Sequence, residues 1–591
     1  MACIGASNAP ARPLTMKKLI NRRETVIEEM LQGMAALHPG LVRLSPWNVM
    51  VRSDFATIRD REVALISGGG SGHEPAHAGY VAPGMLSAAV AGEIFTSPSA
   101  DSIFQAIKAV AGKPGVLLIV KNYTGDRLNF GLAAEMARAE GIPVRLVIVA
   151  DDVALLSGQP NSETEQRRRQ LAEARGLAGV ILIHKIAGAS AAEGKSLDEV
   201  STAASTAASA LATMGLALSA GASASLEAPG FSLSEKEIEL GLGIHGEPGV
   251  QRMPLMSARD LVSTLVDRIT SVRALGSGDR VAVLVNNLGS TTAMEIDIVA
   301  HDAFSILTSR GLKVERLYSG TMLTSLDMAG ISLTLLSVDE ERLRLLDAAT
   351  SAPAWPNFPR RPPAPESVSP QAEPAKLPAQ VSRQLIRGKP ADRAIRAACA
   401  ALLQSEPLLT RLDQAVGDGD LGISMARGAT AVEEALPGYP LDDLPAALKA
   451  IGHTLQGELG GSSGPFYGVL FLRTASALAG RGPLGLREWA EALAQGCDAV
   501  SELGGAHAGD RTMLDALVPF SQALKDQGSD GRPAREALSA AVNAALRGAQ
   551  QTAQMLPRRG RSAYLGERAL GHLDPGAIAV SIWLKAAVES I

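Results

Sequence analysis

Three aspartates fall within the eight residues Asp413-Gln-Ala-Val-Gly-Asp418-Gly-Asp420, with glycines beside them and almost no bulk. Carboxylates packed this tightly repel one another unless a cation sits among them. Hard oxygen ligands at this spacing suit Mg²⁺ alongside substrate phosphates, so the chemistry implied is phosphoryl transfer. An Asp/Gly loop is also a common turn, because Asp bonds its own backbone and Gly tolerates positive φ. A calcium loop of the EF-hand type does not fit. Counted from Asp418 the twelfth residue is Ala429 rather than Glu, and counted from Asp413 the third is Ala415.

Further loops share this character. Gly460-Gly-Ser-Ser-Gly-Pro465 follows a helical pattern and opens another near Phe466. Its small residues let backbone N–H groups approach a phosphate, and the next helix start adds a favourable dipole. Alone, such a string reads as a flexible helix cap. Gly504-Gly-Ala-His-Ala-Gly-Asp510-Arg511-Thr512 sets a cation at another helix start, and Gly571-His-Leu-Asp574-Pro-Gly576 repeats the pattern near the end of the chain. Turn chemistry alone does not account for four such loops. They suggest loops converging at one end of a helical bundle to hold a nucleotide. By contrast, Gly188-Ala-Ser-Ala-Ala-Glu-Gly194-Lys195-Ser196 only imitates a P-loop, with five residues between its glycines where that motif has four. It reads as a strand, Val180–Ala187, followed by a helix with Lys195 exposed.

A second set of reactive residues lies upstream. Gly68-Gly-Gly70-Ser71-Gly-His73-Glu-Pro-Ala-His77-Ala-Gly79 directly follows an apolar run, and loops at the carboxyl ends of strands are where α/β sheets bind ligands. Another run ends in Lys121-Asn-Tyr-Thr-Gly-Asp126, placing a cation and a carboxylate at the same edge. His245 lies in Gly243-Ile-His-Gly-Glu-Pro-Gly249, bracketed by glycine and sterically open. A lone histidine is most often structural. Two in Gly/Pro loops, with an Asp after a parallel strand, narrow that margin, because His/Asp pairs supply general acid–base chemistry.

The elements that must position these groups divide at proline. Between Ser351 and Pro378 repeated proline blocks helix and sheet and leaves an extended tether, giving an expected linker over 351–383. Before it, over 16–350, unalternating runs at Val63–Ser67, Val116–Val120, Val144–Val149, Val180–Ile183 and Val281–Val285 suit strands buried on both faces, an α/β half. A subdomain break is expected near 200–240, with Ser201–Ala224 as a long helix leaving one sheet before later strands build another. After it, over 384–591, strand signals vanish. Ala394–Leu403, Leu444–Leu459, Leu486–Leu503, Thr512–Leu524 and Ala534–Gln554 read as helices, so this half is all-α.

Composition limits the function class. The chain has 591 residues, too many for one core, with 46% hydrophobic residues, only 3% aromatics, 59 glycines and a net charge of −5. No basic run argues for nucleic acid, and no apolar stretch approaches a membrane span. Cys3, Cys399 and Cys497 form no metal or redox spacing and read as free thiols of a cytoplasmic protein. Residues 1–15 read as a disordered leader rather than a secretory signal, with Met16 the more natural start.

Taken together, Gly-Gly-Gly-Ser-Gly-His-Glu-Pro (68–75), the 121–126 and 243–249 strings, Gly-Asp-Gly-Asp (417–420), Gly-Gly-Ser-Ser-Gly-Pro (460–465), Gly-Asp-Arg-Thr-Met-Leu-Asp (509–515) and Gly-His-Leu-Asp-Pro-Gly (571–576) resemble the dihydroxyacetone kinase family in its single-chain, ATP-dependent form. The resemblance runs from about Met16 to the C-terminus. It implies an α/β ketose-binding half with two α/β subdomains, joined by the Pro-rich linker to an all-α eight-helix barrel, and a homodimer. It also implies that His245 attacks the substrate carbonyl to form a covalent hemiaminal, that Asp126 takes the proton from the attacking hydroxyl, and that His73 assists. Gly70, Ser71 and Lys121 line that pocket by the same likeness. Asp413, Asp418 and Asp420 resemble the Mg²⁺ ligands, and Gly422, Ser424, Ser462, Ser463, Gly504, Arg511, Asp574 and Gly576 the ATP contacts. The chain departs from the pattern at Leu421, at His507-Ala508 and over Leu218–Ser225, without losing a catalytic group.

A histidine nucleophile adds to a ketone but not to glycerol, so the covalent bond doubles as a specificity filter. With ketose and ATP in different domains, one must dock on the other, in cis or across a dimer. Phosphorylation of dihydroxyacetone is the first expectation, and a four-carbon ketose such as erythrulose the alternative. Cyclisation of FAD to a cyclic FMN is a second enzyme class, and a third class is non-enzymatic: a regulator, or a relay subunit holding ADP permanently. The last is disfavoured by the intact fusion and by His73, Asp126 and His245.

Overall fold

The computed structural model describes residues 18–156, 174–222, 231–247, 249–356, 389–528 and 533–591. The expected leader and residues 357–383 of the expected linker lie outside these. The chain separates into two compact units, Met1–Val368 and Ser369–Ile591.

The first unit holds two six-stranded sheets. One is built from β1 (Leu41–Leu44), β2 (Val49–Arg52), β3 (Ala64–Ser71), β4 (Ala88–Ile94), β5 (Val116–Lys121) and β6 (Val144–Val149), in the order β1-β2-β4-β3-β5-β6. β4, β3, β5 and β6 run parallel, whereas β1 and β2 are antiparallel additions. The second sheet contains β7 (Leu211–Ala217), β8 (Glu237–Leu240), β9 (Gln251–Pro254), β10 (Arg280–Asn287), β11 (Lys313–Gly320) and β12 (Gly330–Ser337), ordered β11-β10-β12-β7-β8-β9. Only its β10–β11 pair is parallel.

The unalternating strands are explained by two cores. Val116, Leu118 and Val120 enter one core with the helices Ala100–Val110 and Thr124–Ala139, while Leu117 and Ile119 enter another. Val281, Val283 and Val285 similarly face one side of the second sheet and Ala282 and Leu284 the other. The inner core receives residues from both sheets, and the helix Val180–Ala192 lies within it.

That helix corrects the sequence reading of Val180–Ile183 and Val180–Ala187 as a strand. Every residue from Val180 to Ala191 is buried, so the apolar run lacks the polar face that would reveal a 3.6-residue period. Lys195 is half-buried rather than exposed, paired with Glu341 at 2.9 Å and Glu193 at 3.2 Å. Ser201–Ala224 is not one long helix either. The helix Leu197–Ser209, started by a Ser196/Glu199 capping box, ends before β7. β7 is fully buried and pairs along its length with β12; tertiary pairing overrides the helical preference of its Leu, Ala and Met residues. The first residues of the expected linker pack on this unit. Trp355 is buried against Tyr318, with ring centroids 5.0 Å apart, and Ala354 N–H donates to Gly79 O.

The second unit is helical, and all the helices expected there are present. Nine α-helical segments occur among its described residues, and two of them, Pro390–Gln404 and Glu406–Val416, are parted only at Ser405. Pro407, in the first turn of the latter, lacks the N–H that a continuous helix would use. The helices enclose an apolar cavity of about 590 Å³, with Leu441, Ile451, Leu470, Trp489, Phe520 and Trp583 on its wall. Among the described residues no helix is long and apolar enough to cross a membrane.

Candidate active site

In the first unit β3 delivers a run of glycines to its carboxyl end. A Cβ on Gly69 would lie 2.5 Å from Lys121 Nζ and 3.5 Å from Asp126 Oδ2, and one on Gly70 would meet the backbone of Phe95 at 2.6 Å. The missing side chains thus admit an ammonium, a carboxylate and a neighbouring loop to one spot. Lys121 ends β5 and Asp126 lies in the first turn of the following helix, both buried. Ser71 serves the framework, its Oγ donating to Gly92 O at 2.7 Å on β4.

His73 is completely buried, and its Nδ1 lies 2.8 Å from Thr324 O. A carbonyl only accepts, so Nδ1 carries the proton and Nε2 of the neutral ring holds a lone pair. Nε2 has no partner. Burial holds His73 well below the usual histidine range, and Lys121 and His245 add to the effect.

His245, after β8, brings its ring to within 5.0 Å of His73, 4.5 Å of Tyr123 and 5.5 Å of Phe95, centroid to centroid. Burial lowers its pKa to about 3, with Lys121 and Arg175 contributing. At neutral pH the imidazole is therefore uncharged and nucleophilic. Burial pulls Lys121 below its ordinary value, opposed by Asp126 and Glu74, and it raises Asp126, opposed by Lys121. Lys121 also lies 3.2 Å from His77 Nε2, and His77 Nδ1 lies 3.0 Å from His184 Nε2.

His73, Lys121, Asp126 and His245 are thus brought into one neighbourhood. The sequence reading assigned no role to Phe95, Tyr123, Arg175, His184, Glu247 or Thr324. Tyr123 was visible inside the 121–126 string. His184 was hidden by the strand assignment, and Phe95, Arg175 and Thr324 carried no signal a single sequence could supply.

In the second unit carboxylate oxygens of Asp413, Asp418 and Asp420 lie within 4.8 Å of one another. Asp413 Oδ2 accepts from Leu421 N–H at 3.1 Å, tying the cluster to the start of the helix Leu421–Ala435. The cluster borders a cavity of about 200 Å³ whose wall includes Ser462, Ser463, Arg511, Asp574 and Gly576, so the four expected loops do converge. Gly422, Ser424 and Gly504 stand behind the wall. Gly422 abuts Thr410 and the Glu406 carbonyl, and Ser424 Oγ accepts from Gly460 N–H at 2.9 Å. Gly504 leaves room for the Phe466 ring.

Arg511 is only 1% exposed and donates from Nη2 to His572 O at 3.0 Å, while Nε and Nη1 have no partner. Burial lowers its pKa against the opposing charge of Asp574. Asp574 caps the helix Pro575–Glu589 by accepting from Ala577 N–H, and burial pushes it to about 6. Two unpartnered guanidinium nitrogens on a residue that shares a cavity with an acidic cluster fit a phosphate chain with its cation: the guanidinium supplies donors and the carboxylates hard oxygen ligands. Arg559 and Ser562 also line the cavity and had drawn no attention in the sequence.

Comparison with known proteins agrees with this geometry. Residues 32–354 match the Dak1 domain and residues 415–589 the DAK2 domain. Triokinase/FMN cyclase of Homo sapiens is 42% identical, covering 98% of this chain and 99% of its own. Dihydroxyacetone kinase of Citrobacter freundii is 37% identical, covering 96% of this chain and 98% of its own. A crystal structure of the C. freundii enzyme aligns with a TM-score of 0.60 at 35% identity, covering 98% of this chain and 100% of that one. A second crystal structure, in complex with AMP-PNP and Mg²⁺, aligns equally well. The chain belongs to the dihydroxyacetone kinase family.

Proposed function

We propose that this chain is an ATP-dependent kinase that phosphorylates a terminal hydroxyl of a short-chain ketose, dihydroxyacetone first, acting as a cytoplasmic homodimer. The observation that carries this reading is the neutral, ring-bracketed His245 set edge to face against His73, whose Nε2 has no partner. His245 adds through its unprotonated nitrogen to the ketone carbon. The C–N bond forms as the carbonyl π bond breaks, the oxygen gains a proton, and the other imidazole nitrogen gives one up. His73 Nε2 can only accept, so it receives a substrate hydroxyl and holds the ketose in register. Asp126 takes the proton of the terminal hydroxyl as that oxygen bonds the γ-phosphorus and the β–γ bridge breaks.

In the helical unit Arg511 and the Ser462-Ser463 loop hold the nucleotide phosphates. Mg²⁺, held by Asp413, Asp418 and Asp420, would offset charge on those phosphates. The test is ADP release across dihydroxyacetone, erythrulose and glycerol. Glycerol turnover at an efficiency matching the ketoses would refute the covalent reading, and the ratio of kcat/KM values ranks the two ketoses.

A second activity is supported by the name of the human relative, triokinase/FMN cyclase. The groups proposed to bind phosphate line the helical site, so cyclisation of FAD would need no residue of the ketose pocket.

A further inference from the structure

We propose that Arg175 is a positioning residue that fixes the His245 loop through Glu247. Arg175 Nε donates to Asp152 Oδ2 at 2.7 Å, Nη2 donates to Gly241 O at 2.8 Å, and Nη1 lies 3.4 Å from Glu247 Oε1. The other oxygen of Glu247 accepts the backbone N–H of His245 at 2.8 Å. One planar guanidinium therefore ties the segment after β6, the end of β8 and the loop bearing His245, a task its fixed fork suits better than an ammonium. Asp152 is itself anchored, accepting from Ala154 N–H at 2.9 Å.

The packing leaves no slack. A Cβ on Gly243 would run into the Glu247 carboxylate and lie 3.0 Å from Arg175 Nη1, so the loop closes tightly over the pair. Truncating Arg175 would strand two partners, the largely buried Asp152 carboxylate and the Gly241 carbonyl, and free Glu247 to swing from His245 N–H. The charges facing His245 are Lys121 and Arg175, with Glu247 on its own loop and the neutral His73 and Tyr123 against its ring. Asp126 and Glu74 act on it through Lys121, and Asp152 through Arg175. Removing Arg175 thus takes away one of two cations that oppose imidazolium formation.

The inference rests on His245 being the ketose-capturing group. Arg175→Met is expected to raise the ketose KM by about tenfold or more, leave the ATP KM within about twofold, and shift the His245 titration, followed by NMR, toward the usual histidine range. A purely structural role would not confine the loss to the ketose KM. Glu247→Gln should raise the ketose KM in the same direction, and the double variant should lose less than the product of the single losses. Ketose KM and His245 titration both at wild-type values in Arg175→Met, or multiplicative losses in the double variant, overturn the inference. If Arg175→Met does not accumulate folded, an unchanged ketose KM in Glu247→Gln overturns it alone. Failure of the underlying reading shows separately, as ketose turnover by His245→Ala.

Discussion

His73 and His245 come from different sheets yet meet edge to face, their ring centroids 5.0 Å apart and their planes at 69°. One ring holds its proton against Thr324 O and the other is kept neutral by burial beside Lys121 and Arg175. On the proposed reading the pair divides the work: one histidine captures the carbonyl carbon, and the other accepts a hydrogen bond from a substrate hydroxyl. Neither role needs the helical unit, so acceptor choice and phosphate supply separate cleanly by mutation.

His245→Ala is expected to reduce ketose phosphorylation by roughly a thousandfold or more, the loss typical of removing a covalent nucleophile. FAD cyclisation and nucleotide binding should persist in the same variant. Parallel ADP and cyclic-FMN assays check this.

The pH dependence follows from signs. Burial raises Asp126 above its ordinary 3.8, so its base form is lost as pH falls through that raised value. The acid limb of kcat/KM should lie above the usual aspartate range. Because His245 is lowered to about 3, no inflection should appear near 6.5 from its protonation. A profile bending near 6.5 that straightens in a His245 variant would count against this account.

Much of this arrangement was legible before any coordinates. The glycines of β3, the Lys121–Asp126 loop and the Asp413–Asp420 cluster announce themselves because close approach and metal binding demand particular residue types at particular spacings. What stayed hidden depends on tertiary surroundings. Val180–Ala192 is buried on every side and so has no period to read. β7 follows an Ala/Ser-rich helical stretch and takes its extended form by pairing with β12 and β8. Arg175 reaches Glu247 only through a fold that joins the two sheets, and Gly422, Ser424 and Gly504, expected as nucleotide contacts, support the cavity wall from behind.

Arg511→Met should raise the ATP KM by about 10- to 100-fold, since a buried charged donor set is worth about 1.5–3 kcal/mol. Ketose capture should be untouched. Steady-state kinetics with each substrate varied separately checks both halves.

Asp418→Asn or Asp420→Asn should abolish ATP turnover, and chelation of divalent cations should do the same to the unmodified chain, reversibly on adding Mg²⁺. Dihydroxyacetone binding measured calorimetrically should be unchanged in all three cases.

The central claim is tested most directly by ¹³C NMR of the nucleotide-free chain with dihydroxyacetone labelled at its carbonyl carbon. The account predicts a bound tetrahedral carbon attached to nitrogen, present in the unmodified chain and missing in His245→Ala. A bound signal at the free ketone position, or a tetrahedral adduct that survives His245→Ala, would contradict it.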